Sequence, residues 1–202
     1  MLLAMALRGS DVSAVVDVLD SLDPAPSEEA GFLDTVADGV DRLIPADSVW
    51  WASCDYDRRR NDMASSDKRI GRAYEINQAR WWELYDQHPL LEHRDRTGEG
   101  RAYRLSDLTS RRALRGLEIY DEFFRPYGVE SSMSIRIQVS PARAVDVGAT
   151  RAKRDFSARD RQVLDLIRPA VRSALRLGEA ATAARAAPTR RSAPSSTSRR
   201  AR

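Results

Sequence analysis

Apolar residues recur at helical spacing near both ends of the chain and at strand spacing between them, and this alternation sets out the elements. In "SDVSAVVDVLDSL", Val12, Val15, Val16 and Leu19 fall three and four apart; Ser10 or Asp11 can cap the start, and the prolines of "DPAPS" stop it. A second helix starts at Ser27, with Phe32, Val36, Val40 and Leu43 on one face and acids in the first turn, where the helix dipole favours them. "PADSVWWASCDYD" reads as a strand with Val49, Trp51 and Ser53 on one side and Trp50, Ala52 and Cys54 on the other. The polar "DRRRNDMASSDKR" predicts a loop with a weak second strand. The helix over "RAYEINQARWWELYDQHPLL" turns Ile76, one of Trp81 and Trp82, and Tyr85 inward, and Pro89 stops it. "EHRDRTGEGRAYRLSDL" predicts a loop with a short extended piece at 102–105. Ser106 or Asp107 then caps a helix over "TSRRALRGLEIYDEFFRPYG", closed by Pro126 and Gly128.

The clearest strand is "SSMSIRIQVS". Met133, Ile135, Ile137 and Val139 alternate with Ser132, Ser134, Arg136 and Gln138, which predicts one buried face and one wet face. "PAR" marks a turn into "AVDVGATRA", its partner strand. In the last helix Ser157 and Asp160 form a cap-like pair, and Val163, Leu164, Ile167, Val171, Ala174 and Leu175 make the apolar stripe, with Pro169 expected to kink it. Hairpin-connected strands with helices grouped outside them give an α+β fold on an antiparallel sheet.

With 202 residues, 42% of them hydrophobic, the chain suffices for one domain with appendages. The expected division is an N-terminal helix at 1–24, a sensor-sized domain at 25–178 and a tail at 179–202. The net charge of +3 misleads, because residues 180–202 hold six arginines and no acid; without them the remainder stands at −3. The Arg/Ser/Pro tail cannot form a core and is expected to be disordered, with at most weak phosphate contacts to nucleic acid. The single cysteine forbids an internal disulfide and fits a cytoplasmic setting. The opening "MLLAMALRGS" lacks the layout of a secretory signal, and no later stretch approaches a membrane span.

Candidate chemistry is sparse. Neighbouring tryptophans, Trp50–Trp51 and Trp81–Trp82, cannot point the same way. Each pair either fills the core or sends one ring to a small-molecule pocket, and that pocket is expected at Trp51, Trp82, Tyr85, Phe123 and Met133. His88 and His93, separated by a proline, do not suit a metal; His88 fixes a turn by hydrogen bonding. Cys54 has no activating histidine nearby in sequence, and "TGEGRAY" matches no phosphate loop. No enzyme, metal or cofactor is expected.

Four stretches carry a family resemblance: "HPLLEH" (88–93), "YRLSDL" (103–108), "EIYDEFFRPYGVESSMSI" (118–135) and "RAKRDFSARDRQVLDLIRPAVRSALR" (151–176). In order and spacing, over residues 28–178, they resemble the N-terminal GAF-like sensor region of LuxR-type transcriptional regulators of high-GC bacteria. The resemblance implies a small-molecule ligand and a last helix that relays its binding. The stripe Val163, Ile167, Val171 and Ala174 would pair with a second copy or with a related regulator. In such relatives an alanine-rich linker leads to a DNA-binding helix-turn-helix opening close to L-T-x-R-E-x-x-V-L. No such pattern follows Leu177. Reading 190–201 in a shifted frame allows "ERAVLDLAAG", so a frameshifted or truncated regulator is the expectation. The alternative is a stand-alone binding protein whose basic tail touches nucleic acid non-specifically.

Overall fold

The computed structural model describes residues 7–186. Helices α1 (Gly9–Asp20) and α2 (Glu29–Leu43) precede a hairpin of β1 (Ser48–Asp55) and β2 (Arg60–Ser65). The helices α3 (Lys68–Ile76), α4 (Gln78–Leu84) and α5 (Pro89–Thr97) follow, with a 3-10 turn over Tyr85–Gln87 between the last two. After β3 (Tyr103–Arg104) come α6 (Leu105–Leu108), α7 (Arg111–Leu114), a π-turn over Tyr120–Phe124 and a 3-10 turn over Arg125–Tyr127. The hairpin of β4 (Ser131–Ser140) and β5 (Arg143–Arg151) leads into α8 (Ala158–Ala186). The strands form one antiparallel sheet in the order β2-β1-β5-β4-β3.

Helices cover both faces of this sheet. On one side Val49 and Trp51, Met133, Ile135 and Ile137, and Val145 and Val147 pack under α1, α2 and α8. On the other lies an aromatic cluster from α3, α4, α5 and the π-turn. The expectation of a wet face on β4 is therefore corrected. Ser132, Ser134 and Arg136 are 3%, 0% and 4% exposed, because the second helical layer closes over them, with Arg94 donating to Ser134 and Asp95 pairing with Arg136, while Gln138 stays exposed as expected.

The α1 stripe is rotated from the expected one. Val15 and Val18 are buried while Val12 and Val16 are each 46% exposed. The Asp11 carboxylate, 2.6 Å from Nη2 of Arg159 on α8, turns the Asp11–Val15–Val18 row inward.

The long helix expected up to Pro89 is broken at Asn77 and again before His88, and Ile76 is 65% exposed rather than inward. Pro89 opens α5 instead of merely ending a helix: at a first helical position its missing N–H costs nothing. Gly98, at φ 70°, terminates α5 in the left-handed region, so much of the expected loop is helical. The helix expected after Thr109 is also broken. Ser110 caps α7 by accepting from the Ala113 N–H, and the chain unwinds at Gly116 before the π-turn.

At α8, Ser157 and Asp160 exchange bonds: the Ser157 N–H donates to Asp160 Oδ2 (3.0 Å) and the Asp160 N–H to Ser157 Oγ (3.1 Å). The helix continues through Pro169 and past the expected boundary at 178 to Ala186. Its alanine-rich end favours helix, and Glu179 is held 2.6 Å from Arg143 at the start of β5. The remainder of the tail, where disorder and nucleic-acid contact were expected, lies outside the described residues. Among the described residues no helix is long and apolar enough to cross a membrane.

Candidate functional site

The sheet face opposite α8 holds a cavity of about 50 Å³. Strand parity decides its floor. Trp50, Ala52 and Cys54 of β1, Ser132 and Ser134 of β4, and Asp146 and Thr150 of β5 all point to this side. Its roof is aromatic: Tyr74 from α3, Trp81 from α4, His88 at the start of α5, and Phe123 and Phe124 from the π-turn. The Trp81 ring packs 4.6 Å from Tyr74, 5.2 Å from Phe123 and 5.7 Å from His88, centroid to centroid. Tilted and edge-on contacts of this kind hold the rings without filling the gap between them. Trp50 lies over Gly148, where a Cβ would come within 2.7 Å of Trp50 Cζ2 and 2.5 Å of the Met133 carbonyl oxygen; only glycine lets the indole settle there.

Two roof residues define the polar character. Trp81 Nε1 is buried and, like Trp82 Nε1 beside the cavity, has no hydrogen-bond partner among the described residues. An unmet buried donor is costly, and a ligand acceptor would satisfy it. His88 accepts the Leu90 N–H on Nδ1 at 3.2 Å and so caps α5, where the sequence led one to expect a turn fixed by hydrogen bonding. That bond leaves the ring proton on Nε2. Burial, with the nearby Arg94 charge, pushes the His88 pKa down to about 3, so the ring stays neutral at physiological pH.

Asp146 of the floor belongs to a buried ion cluster. Arg136 grips Asp146 through two nitrogens, Nε to Oδ1 at 3.1 Å and Nη2 to Oδ2 at 2.9 Å, whereas Arg94 reaches it once, Nη1 to Oδ1 at 3.1 Å. The difference in grip explains why burial pushes Arg94 down to about 10 while Asp146 holds Arg136 upward against its own burial. Half-exposed Asp95, 2.7 Å from Arg136, closes the charge balance. Cys54 donates to Asn61 Oδ1 at 3.3 Å, and burial pushes its thiol up to about 12. Among the described residues no three His, Cys, Asp or Glu side chains gather as a metal site.

Of the five residues expected at a pocket, Phe123 is in the cavity wall. Trp82 and Tyr85 stack on each other at 5.0 Å beside it without lining it. Trp51 and Met133 are on the other face of the sheet, where Trp51 Nε1 donates to Asp34 of α2 at 2.7 Å. Their neighbours Trp50, Ser132 and Ser134 occupy the cavity instead. Val163, Ile167, Val171 and Ala174 are 0–3% exposed against the chain's own sheet, so the expected pairing stripe is already covered within one molecule.

No family model and no curated protein matches the sequence. Solved structures do match the fold. The VqsR LBD domain from Pseudomonas aeruginosa superposes with a TM-score of 0.59 at 17% identity, over 86% of this chain and 98% of that one. CepR2 from Burkholderia cenocepacia, an N-acylhomoserine lactone dependent LuxR family transcription factor, gives 0.52 at 15% identity, over 87% and 95%. The phycoerythrobilin-bound GAF domain of a cyanobacterial phytochrome gives 0.51 at 9% identity, over 87% and 100%. The chain thus has the GAF-like α+β fold found in LuxR-family ligand-binding domains, a five-stranded antiparallel sheet between helical layers with a long final helix.

Proposed function

We propose that the chain is the sensory domain of a LuxR-type transcriptional regulator and that a small, uncharged group binds in the cavity between the sheet and α3–α5. The observation that carries this reading is the Trp81 indole N–H, buried without a partner in an aromatic wall. A carbonyl, ether or hydroxyl oxygen would complete it. The cavity's thiol, Cys54, is held protonated by burial and is unsuited to act as a nucleophile there. The likeness in fold to regulator ligand-binding domains supports the same reading.

The floor strands β4 and β5 carry the cavity on one face and the α8 core on the other. A ligand that favours one packing of the floor therefore biases α8, the route by which a signal leaves the domain. Pairing with a second copy or a related regulator then uses the outward side of α8, where Leu166 and Leu177 are 43% and 53% exposed.

A thermal-shift screen of small carbonyl compounds against the wild-type protein and Trp81→Phe tests the reading, because binding to the native state raises the melting temperature. N-acylhomoserine lactones belong in the panel, since one structure of this fold depends on them. Compounds that stabilise the wild type and lose that effect in Trp81→Phe are the expected outcome. A full panel of inert compounds, or hits indifferent to Trp81, would refute it.

A further inference from the structure

The cavity is too small to be the whole site. At about 50 Å³ it accommodates a few waters or one slender group. It adjoins a surface cleft of about 620 Å³, and Ile70, Val129 and Thr150 line both spaces. Among the described residues these three side chains alone are shared between the two spaces, so a molecule too long for the cavity has the cleft as its neighbouring space.

The cleft is cationic. Asp47, Asp67, Arg69, Arg151, Lys153 and Arg154 are its charged lining residues. Asp67 is paired with Arg69 at 2.6 Å, while Asp47 accepts the Ala152 N–H at 2.6 Å and keeps its charge, so the four cations outnumber the two acids. Arg151 is committed to Asp160 at 3.2 Å and to the carbonyls of Pro45 and Asp155. Lys153 and Arg154 are exposed and make no ion pair among the described residues. They stand on the connection between β5 and α8.

Resting on the cavity reading above, we propose that the ligand is a slender bifunctional organic anion, with an oxygen acceptor at its inner end for Trp81 and a carboxylate at its outer end held by Lys153 and Arg154. The inner end satisfies the buried donor without bringing charge into a wall where no cation is free. The outer end places its charge on the segment that feeds α8, so this contact couples ligand binding to the helix more directly than the cavity alone does.

Oxo-acids with the ketone next to the terminal methyl are suitable probes: 4-oxopentanoate, 5-oxohexanoate, 6-oxoheptanoate and 7-oxooctanoate, each beside its primary amide. Titrations of the full chain followed by tryptophan fluorescence give their affinities. One acid of the series is expected to bind best and to outbind its amide. Lys153→Gln/Arg154→Gln is expected to weaken that acid by about 3- to 10-fold and to leave the amide unchanged, as exposed charge contacts do. Trp81→Phe is expected to weaken acid and amide alike. Acids and amides that bind equally, with an inert double variant and a sensitive Trp81, overturn the anion proposal and leave the cavity reading standing. A series in which neither acid nor amide binds overturns both.

Discussion

Acid should destabilise this protein through one buried imidazole. His88 is buried among Trp81, Phe124 and the start of α5, and its pKa falls to about 3 in the fold from the ordinary imidazole value of 6.5. Between those two values the unfolded chain binds a proton that the native state refuses. The stability contributed by the neutral ring is therefore fully present above about pH 6.5 and is lost progressively as pH falls towards 3. Integrating the proton difference from pH 7.5 to pH 5 gives a loss of about 2 kcal/mol from this residue. Urea unfolding at the two pH values measures it. With a slope of about 2 kcal/mol/M, the midpoint should drop by about 1 M. His88→Asn keeps a capping side chain for α5 but cannot titrate, so its midpoint should stay nearly level over the same range. His93 and the carboxylates remain in both proteins and cancel in the comparison. Parallel wild-type and variant curves would refute the assignment of a buried neutral His88.

Three other substitutions probe the walls of the site. Asp146→Asn strands the Arg94 guanidinium in the interior and leaves Arg136 only half-exposed Asp95, so it should cost about 3–5 kcal/mol in chemical denaturation, far more than loss of a surface ion pair. Gly148→Ala drives a methyl against the Met133 carbonyl and the Trp50 ring; it should cost about 1–3 kcal/mol and alter the tryptophan emission, whereas an unchanged spectrum would contradict the described contact. Arg143→Ala releases Glu29 of α2 and Glu179 of α8 together, so amide exchange at residues 178–186 should quicken while global stability falls by only about 1 kcal/mol.

The pattern of the chain reveals which residues share a face, but not which face holds the site. Alternation along β1 correctly separates Trp50, Ala52 and Cys54 from Val49 and Trp51. Trp51 and Met133, expected at the pocket, lie on the sheet face opposite the cavity, since a shift of one residue moves a side chain across the sheet. The reason lies in Ser132, Ser134 and Arg136. Alternating polar residues imply solvent unless distant groups satisfy them, and here Arg94 satisfies Ser134 while Asp95 and Asp146 satisfy Arg136, from α5 and β5. Nothing local to β4 announces those partners. The start of α5 was legible in retrospect, with His88 as cap, Pro89 at the first position and Gly98 at the end. The last helix was read well because a sustained apolar stripe and the Ser157–Asp160 cap agree, yet its burial against its own sheet is a tertiary fact.

The proposed ligand enters the cavity on the aromatic side of the sheet. Titrating hexanamide, a slender neutral acceptor, into Ala52→Leu and Met133→Leu tests it most directly. Leucine at position 52 fills the cavity floor, whereas position 133 lies beneath α8 on the opposite face. The account predicts saturable binding to the wild-type protein, retained in Met133→Leu and weakened by about tenfold or more in Ala52→Leu, a loss of about 1.4 kcal/mol. Binding that survives in Ala52→Leu, or no saturable binding to the wild type, would contradict it.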